Sequence, residues 1–210
     1  MICPVPTFNR TQKSTAMPRL VLASASPRRL ELLRQLGLEP DAIEATNIDE
    51  RSRPDEQPRE AALRLAGEKA GAAVARHPGA VVLAADTIVA CGRRILPKAE
   101  TAGEAVACLH LLSGRRHRVH GAIVVAAADG RRAHRFITTV VAFKRLTGEE
   151  IDAYIAGGEW HGKAGGYAIQ GRAAAFVRQI NGSYANVVGL DLFSAAALLR
   201  GAGIVVPRYG

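Results

Sequence analysis

Aromatic side chains are scarce in this chain: five Phe, four Tyr and one Trp in 210 residues. Proteins that grip single-stranded nucleic acid stack bases on such rings, so that class of partner is poorly provided for. Cysteine is scarcer still, at Cys3, Cys91 and Cys108 only. This scattered, odd-numbered set gives neither a zinc spacing nor a disulfide framework, and it suits a reduced, cytoplasmic setting. No apolar run reaches the roughly 20 residues that a membrane helix requires. Residues 1–17, MICPVPTFNRTQKSTAM, lack the apolar stretch of a secretory signal and read as a disordered extension, with Met17 as a second candidate start.

Acidic residues are the remaining shortage. There are 19 Asp and Glu against 28 Lys and Arg, a formal net charge of +9. Such a balance favours an anionic partner. Because the arginines are spread along the chain, it reads as a nucleotide-binding cleft plus solvated surface. Apolar residues are plentiful, 48% of the chain, enough for one large domain or two small lobes over residues 18–210.

The stretch Leu20–Leu36, LVLASASPRRLELLRQL, organises the rest. Leu20–Leu22 suit a buried strand. Ser26 reads as a helix N-cap and Pro27 as the first helical residue, where its missing N–H costs nothing. Leu30, Leu33 and Leu36 then recur at helical spacing, and Gly37 closes the pattern. A strand, a small-residue turn and a helix aim free backbone N–H groups and the positive helix end at one spot. Arg28 and Arg29 in that first turn oppose the helix dipole. Either a phosphate is meant to bind between them or they are two solvated arginines; local features leave both open.

Further along, Asp41–Ala45 is expected to form a second strand. The polar loop NIDERSRPDEQP carries Glu50, a plausible metal ligand if it faces the first turn. Pro58 opens a helix to about Arg76. Within it Lys69 lies among alanines, where a lysine more often snorkels outward than reaches into a site. AVVLAAD reads as a buried strand ending at Asp86-Thr87, and the carboxyl end of a buried strand is where open α/β sheets place ligand chemistry. Apolar residues follow Asp86, so there is no turn for it to cap. Lys98 follows in the loop ILPKAE. Thr101/Glu104 and Thr147/Glu150 match capping boxes. Asp129-Gly130 between two β-rich runs signals a hairpin. Its histidines, His117, His120 and His134, read as surface groups and not as a metal site. GGEWHGKAGGYAIQG has six glycines in fifteen residues together with Trp160, Lys163 and Gln170. It is neither a flexible linker nor a Walker loop. Its glycines let backbone approach a ligand, Lys163 brings charge, and Gln170 can read a base edge. Ala173–Val177 is expected to be a strand. INGSYANVVGLDL leads into a helix ending near Arg200, and Ile204–Val206 reads as a last strand.

SASPRR with its helix, AADT with Lys98, and GKAGGYAIQG followed by INGSYANVVGLDL together resemble the Maf family of nucleoside triphosphate pyrophosphatases, over roughly Arg19–Val206. The resemblance implies an ITPase-like α/β fold: a long twisted mixed sheet flanked by helices, in two lobes around a central cleft. It implies hydrolysis of a nucleoside triphosphate to the monophosphate and pyrophosphate with a divalent metal, Mg²⁺ first and Mn²⁺ or Co²⁺ as alternatives. By position, Asp86 resembles the catalytic carboxylate and, with Glu50, a metal ligand. Ser24, Arg28 and Arg29 resemble the phosphate-holding turn, and Lys69, Lys98 and Lys163 match cleft positions. Arg28, Thr87 and Gln170 match the members that prefer dTTP and UTP. The methylated-GTP group carries a bulky residue, Gln and Glu there. This chain departs from the common KAGAYGIQG at Gly166 and Ala168. The expected partner is a nucleotide, with a homodimer as an option and neither membrane nor nucleic acid. The alternatives are a nucleotide-sensing or nucleic-acid-binding regulator of cell division, or a pyrophosphatase acting on another base such as 7-methyl-GTP.

Overall fold

The computed structural model describes residues 17–51 and 53–207. The expected extension at residues 1–17 lies outside them, apart from Met17. Strand β1 (Leu20–Ala23) leads through the small-residue turn into helix α1 (Pro27–Gln35), with Pro27 opening the helix and Ser26 at the N-cap position, where its side chain makes no capping hydrogen bond. The strand expected over Asp41–Ala45 shrinks to β2 (Ala42–Ile43), an edge strand parallel to β1. Helix α2 (Pro58–Arg76) follows its expected bounds. The hairpin strands β6 (Arg116–Ala126) and β7 (Arg132–Phe143) pair antiparallel around Asp129-Gly130. Both capping boxes form, at the starts of α3 (Ala102–Leu112) and α4 (Gly148–Ala156).

The strand through Asp86 does not end there. It runs on as β3 (Val81–Cys91), eleven residues long. Its neighbour β1 pairs with it in parallel only as far as Ala84, opposite Ala23. Strand β4 (Arg94–Leu96) pairs with it only from Val89 onward. Between those points Ala85–Ile88 pair with β6 alone, so the sheet has an opening along one side of Asp86. The full order is β2-β1-β3-β6-β7-β9, with β9 spanning Val177–Asn181 and β4 beside β3. A second, two-stranded sheet joins β5 (Lys98–Ala99) to β8 (Lys163–Ala164).

Three cores hold these layers. α1 and α6 (Leu192–Gly201) pack on one sheet face through Leu32, Leu33, Leu198 and Leu199 against Leu20, Leu22, Val81 and Leu83. On the other face α2 presents an alanine stripe, Ala62, Ala66, Ala70 and Ala73, against Val82, Ala84 and Ala122. Small side chains there let the helix lie close to the sheet. The third core belongs to a second lobe: α3, α4, the far ends of β3, β6 and β7, and Tyr167, Ile169 and Phe176. The architecture is the mixed sheet flanked by helices that the family resemblance implies.

Three local expectations are corrected. Arg172–Phe176 is a 3₁₀ turn, with the strand β9 starting only at Val177. The Ala173–Ala175 run lacks β-branched residues, and the Glu159 carboxylate accepts the Arg172 N–H (2.7 Å) at its start, which favours a turn. Ile204–Val206 alternate in burial as a strand would, with Val205 exposed, but no strand pairs with them among the described residues. Ile204 and Val206 pack into the core that α6 shares, outside any regular element. His117 is no surface group: it is 1% exposed, at the heart of the second lobe.

Candidate active site

Side chains alternate along β3, so Asp86 shares the α2 face with Val82 and Ala84 while Thr87 shares the opposite face with Leu83 and Ala85. Asp86 therefore meets Lys69 of α2: Nζ to Oδ1 is 2.6 Å, with Asp86 and Lys69 only 3% and 5% exposed. Lys69 does not snorkel, because the alanines around it bring its stem close to the sheet. The same Nζ lies 2.6 Å from Glu50 Oε1, and Glu50 also pairs with Lys98. Burial alone would raise the Glu50 carboxyl, but hydrogen bonds from Lys69 and then Lys98 outweigh it and hold it at about 2.

Thr87, on the other face, meets Arg29. The guanidinium donates through Nη2 to Thr87 Oγ1 (3.3 Å), through Nη1 to Ser24 Oγ (3.1 Å) and through Nε to the Gly189 carbonyl (3.0 Å). Three anchors, one in the same turn and two from distant segments, thus fix one arginine. Ser24 Oγ also accepts the Ser26 N–H (3.2 Å), which tightens the turn. Gly189 ends helix α5 (Tyr184–Val188), which is capped by Ser183.

A cavity of about 360 Å³ opens between the lobes. Arg28, Arg29, Asp86, Thr87, Lys98, Lys163 and Gln170 all line it. The three sequence motifs converge here. Glu50 lines an adjoining cavity with Asp86, Thr87 and Lys98, whereas Lys69 and Ser24 line neither and act through Asp86, Glu50 and Arg29. The glycine-rich segment is fixed in place. Trp160 Nε1 donates to the Ile155 carbonyl (2.8 Å), and the Tyr154 hydroxyl accepts the Ala168 N–H (3.0 Å). Gly165, at φ 71°, lies so close to Val89 that a Cβ would sit 2.9 Å from its methyl, so a side chain is excluded on both counts.

The cleft is short of anions. Burial, then the charge of Arg29, lowers the Arg28 pKa; burial, then Arg28, lowers that of Lys163. Burial also lowers Arg29, against the raising effect of Asp86 and Glu50. A bound polyanion would offset these desolvation and repulsion penalties together. Sequence reading missed His161, which lines the cavity beside Lys163, and the Gly189 carbonyl. His161 had a signal, its place inside the glycine-rich segment; a backbone carbonyl has none.

Among the described residues no group of three or more His, Cys, Asp or Glu could hold an ion. Glu50 and Asp86 do present two carboxylates to one amine. Two carboxylates are hard oxygen donors, so the residues fit a hard divalent cation completed by further oxygen ligands.

Fold and cleft together define an α/β protein built to bind a polyanion over a buried carboxylate–lysine pair. The chain belongs to the Maf family: the model for Maf-like protein matches residues 19–202. It is 61% identical to a dTTP/UTP pyrophosphatase of Rhodospirillum rubrum over 91% of each chain. It is 60% identical to a dTTP/UTP pyrophosphatase of Paramagnetospirillum magneticum, over 89% of this chain and 98% of that one. A solved HAM1 protein from Coxiella burnetii is similar at 19% identity, over 89% of this chain and all of that one, with a TM-score of 0.47. No helix among the described residues is long and apolar enough to cross a membrane.

Proposed function

We propose that this protein hydrolyses nucleoside triphosphates at the α–β phosphoanhydride, releasing the monophosphate and pyrophosphate, with dTTP and UTP as its preferred substrates. The observation that carries the reading is the single cavity in which Asp86 lies among Arg28, Arg29, Lys98 and Lys163. The relatives named above, similar over nearly their whole length, support the pyrimidine preference. We read residues 18–210 as one domain of two lobes.

In this reading the triphosphate lies between the α1 turn and the glycine-rich segment. Arg28, Lys98 and Lys163 neutralise its charge, and Arg29, held by three anchors, presents a fixed guanidinium. Asp86 is the general base: it takes a proton from the water that adds to the α-phosphorus, and pyrophosphate leaves with the electron pair of the broken P–O bond. Lys69 holds the Asp86 carboxylate in place. Nucleotide pyrophosphatases of this family act with a divalent metal. Glu50 and Asp86 are the residues that would hold it, and Mg²⁺ there supplies charge neutralisation at the phosphate oxygens. Arg28, Thr87 and Gln170, which line the same cavity, are the residues we assign to discriminating the base.

The test is pyrophosphate release from a panel of dTTP, UTP, dATP, GTP and 7-methyl-GTP with Mg²⁺. Release is expected to be fastest from dTTP and UTP. Silence with every nucleotide, together with steeply salt-dependent DNA binding, would replace the enzyme by a nucleic-acid-binding regulator.

A further inference from the structure

Glu50 sits between β2 and α2, in chain without regular structure. Among the described residues from Ala45 to Arg51, no backbone–backbone hydrogen bond holds the loop. Its placement beside Lys69 and Lys98 therefore needs another cause. That cause lies outside the cleft, at Arg64 on α2. Its Nε and Nη2 donate to the two oxygens of Glu56, at 2.6 and 2.8 Å. Nη1 donates to Glu68 at 3.3 Å, and Nη2 also reaches the carbonyl of Arg51, the residue after Glu50, at 3.1 Å. The Arg64 and Glu56 side chains are only 13% and 8% exposed, so this two-pronged pair is largely shielded from water, where its geometry counts most.

We infer that Arg64 is a positioning residue for the reaction: by gripping Glu56 and the Arg51 carbonyl at once, it fixes the loop that presents Glu50 to Lys69, Lys98 and Asp86. This rests on the reading of Glu50 as part of the active site. One helix carries both the clamp and Lys69, so the loop and the amine that receives it are held in a common frame. Only a planar guanidinium can serve three acceptors in this way; a lysine at position 64 offers one charged point and no fork.

The test uses the full chain with the variants Arg64→Lys, Arg64→Gln, Glu56→Gln and Glu50→Gln. Two readouts are followed beside thermal stability. One is the rate of tryptic cleavage after Arg51, located by mass spectrometry. The other is kcat and KM for dTTP, with the Mg²⁺ concentration for half-maximal rate. Arg64→Lys is expected to speed loop cleavage about tenfold, to lower kcat by a similar factor and to raise the Mg²⁺ requirement. Wild-type cleavage and wild-type kcat in Arg64→Lys would overturn the inference, as would a fall in melting temperature with both readouts unchanged. If Arg64→Gln does not fold, Arg64→Lys and Glu56→Gln decide the matter. Full activity in Glu50→Gln would remove Glu50 from the site while leaving the clamp to be judged by proteolysis, so the two failures are distinguishable.

Discussion

A lysine and an aspartate buried side by side are costly for a fold. Stripping water from both charges offsets much of their attraction, and apolar residues of similar volume are often equally stable in such places. That Asp86 and Lys69 keep company beside an open cleft supports the proposal that the pair serves the reaction. Asp86→Ala is expected to lower kcat by about 10²–10⁴-fold, as loss of a general base does. The melting temperature should change much less, because Lys69 keeps Glu50 as a second partner at 2.6 Å. Steady-state kinetics and a thermal melt on the same sample check both halves; a variant turning over dTTP at the normal rate would remove Asp86 from that role. Sequence reading singled out Asp86 because an acid interrupts an apolar run. It could not tell that Lys69 is buried, because a lysine among alanines looks the same whether its helix faces water or a sheet.

Among the elements, α5 is the smallest that matters most. Its five residues place the Gly189 carbonyl on Arg29, and a buried amide, that of Asn186, helps tie it to the sheet. Asn186 Nδ2 donates to the Val119 carbonyl (3.1 Å) and to Thr139 Oγ1 (3.0 Å), and its Oδ1 lies in the space over Gly121. A Cβ at position 121 would come within 1.9 Å of that oxygen. Gly121→Ala is therefore expected to displace Asn186 and α5, at an overpacking cost of about 1–3 kcal/mol. The expected signature is a melting temperature lower by about 2–4 °C per kcal/mol, together with a raised KM for dTTP as Arg29 loses its carbonyl. An unchanged melt and KM would show that the amide moves aside freely. No local pattern announces this dependence, since the glycine and the asparagine are far apart in sequence.

Across the whole molecule, acid stability should report the second lobe. His117 donates or accepts at Tyr167 Oη (2.8 Å) and packs edge-on to Phe143, and burial pushes its pKa down to about 4. Its folded pKa lies below its unfolded value, so between pH 6.5 and 4 the unfolded chain binds the extra proton. Stability falls as the pH is lowered through that window. A shift of this size is worth about 3 kcal/mol. Glu50 and Glu56, both held at about 2, lose their contribution only in a lower window, below about pH 4.5. His117→Gln is expected to flatten the stability profile between pH 6.5 and 5, as denaturant melts at several pH values would reveal; an unaltered slope would remove His117 as its source. The sequence by itself determined the Ser26-Pro27 helix start, the two capping boxes and the Asp129-Gly130 hairpin, because each depends on interactions within a few residues along the chain. Only the tertiary structure decided that β1 stops at Ala23 while β3 continues past Asp86, that His117 and Lys69 are buried, and that Ile204–Val206 find no strand to join. Strand ends and burial are set by what packs alongside from distant parts of the chain, and no stretch of sequence carries a record of its neighbours.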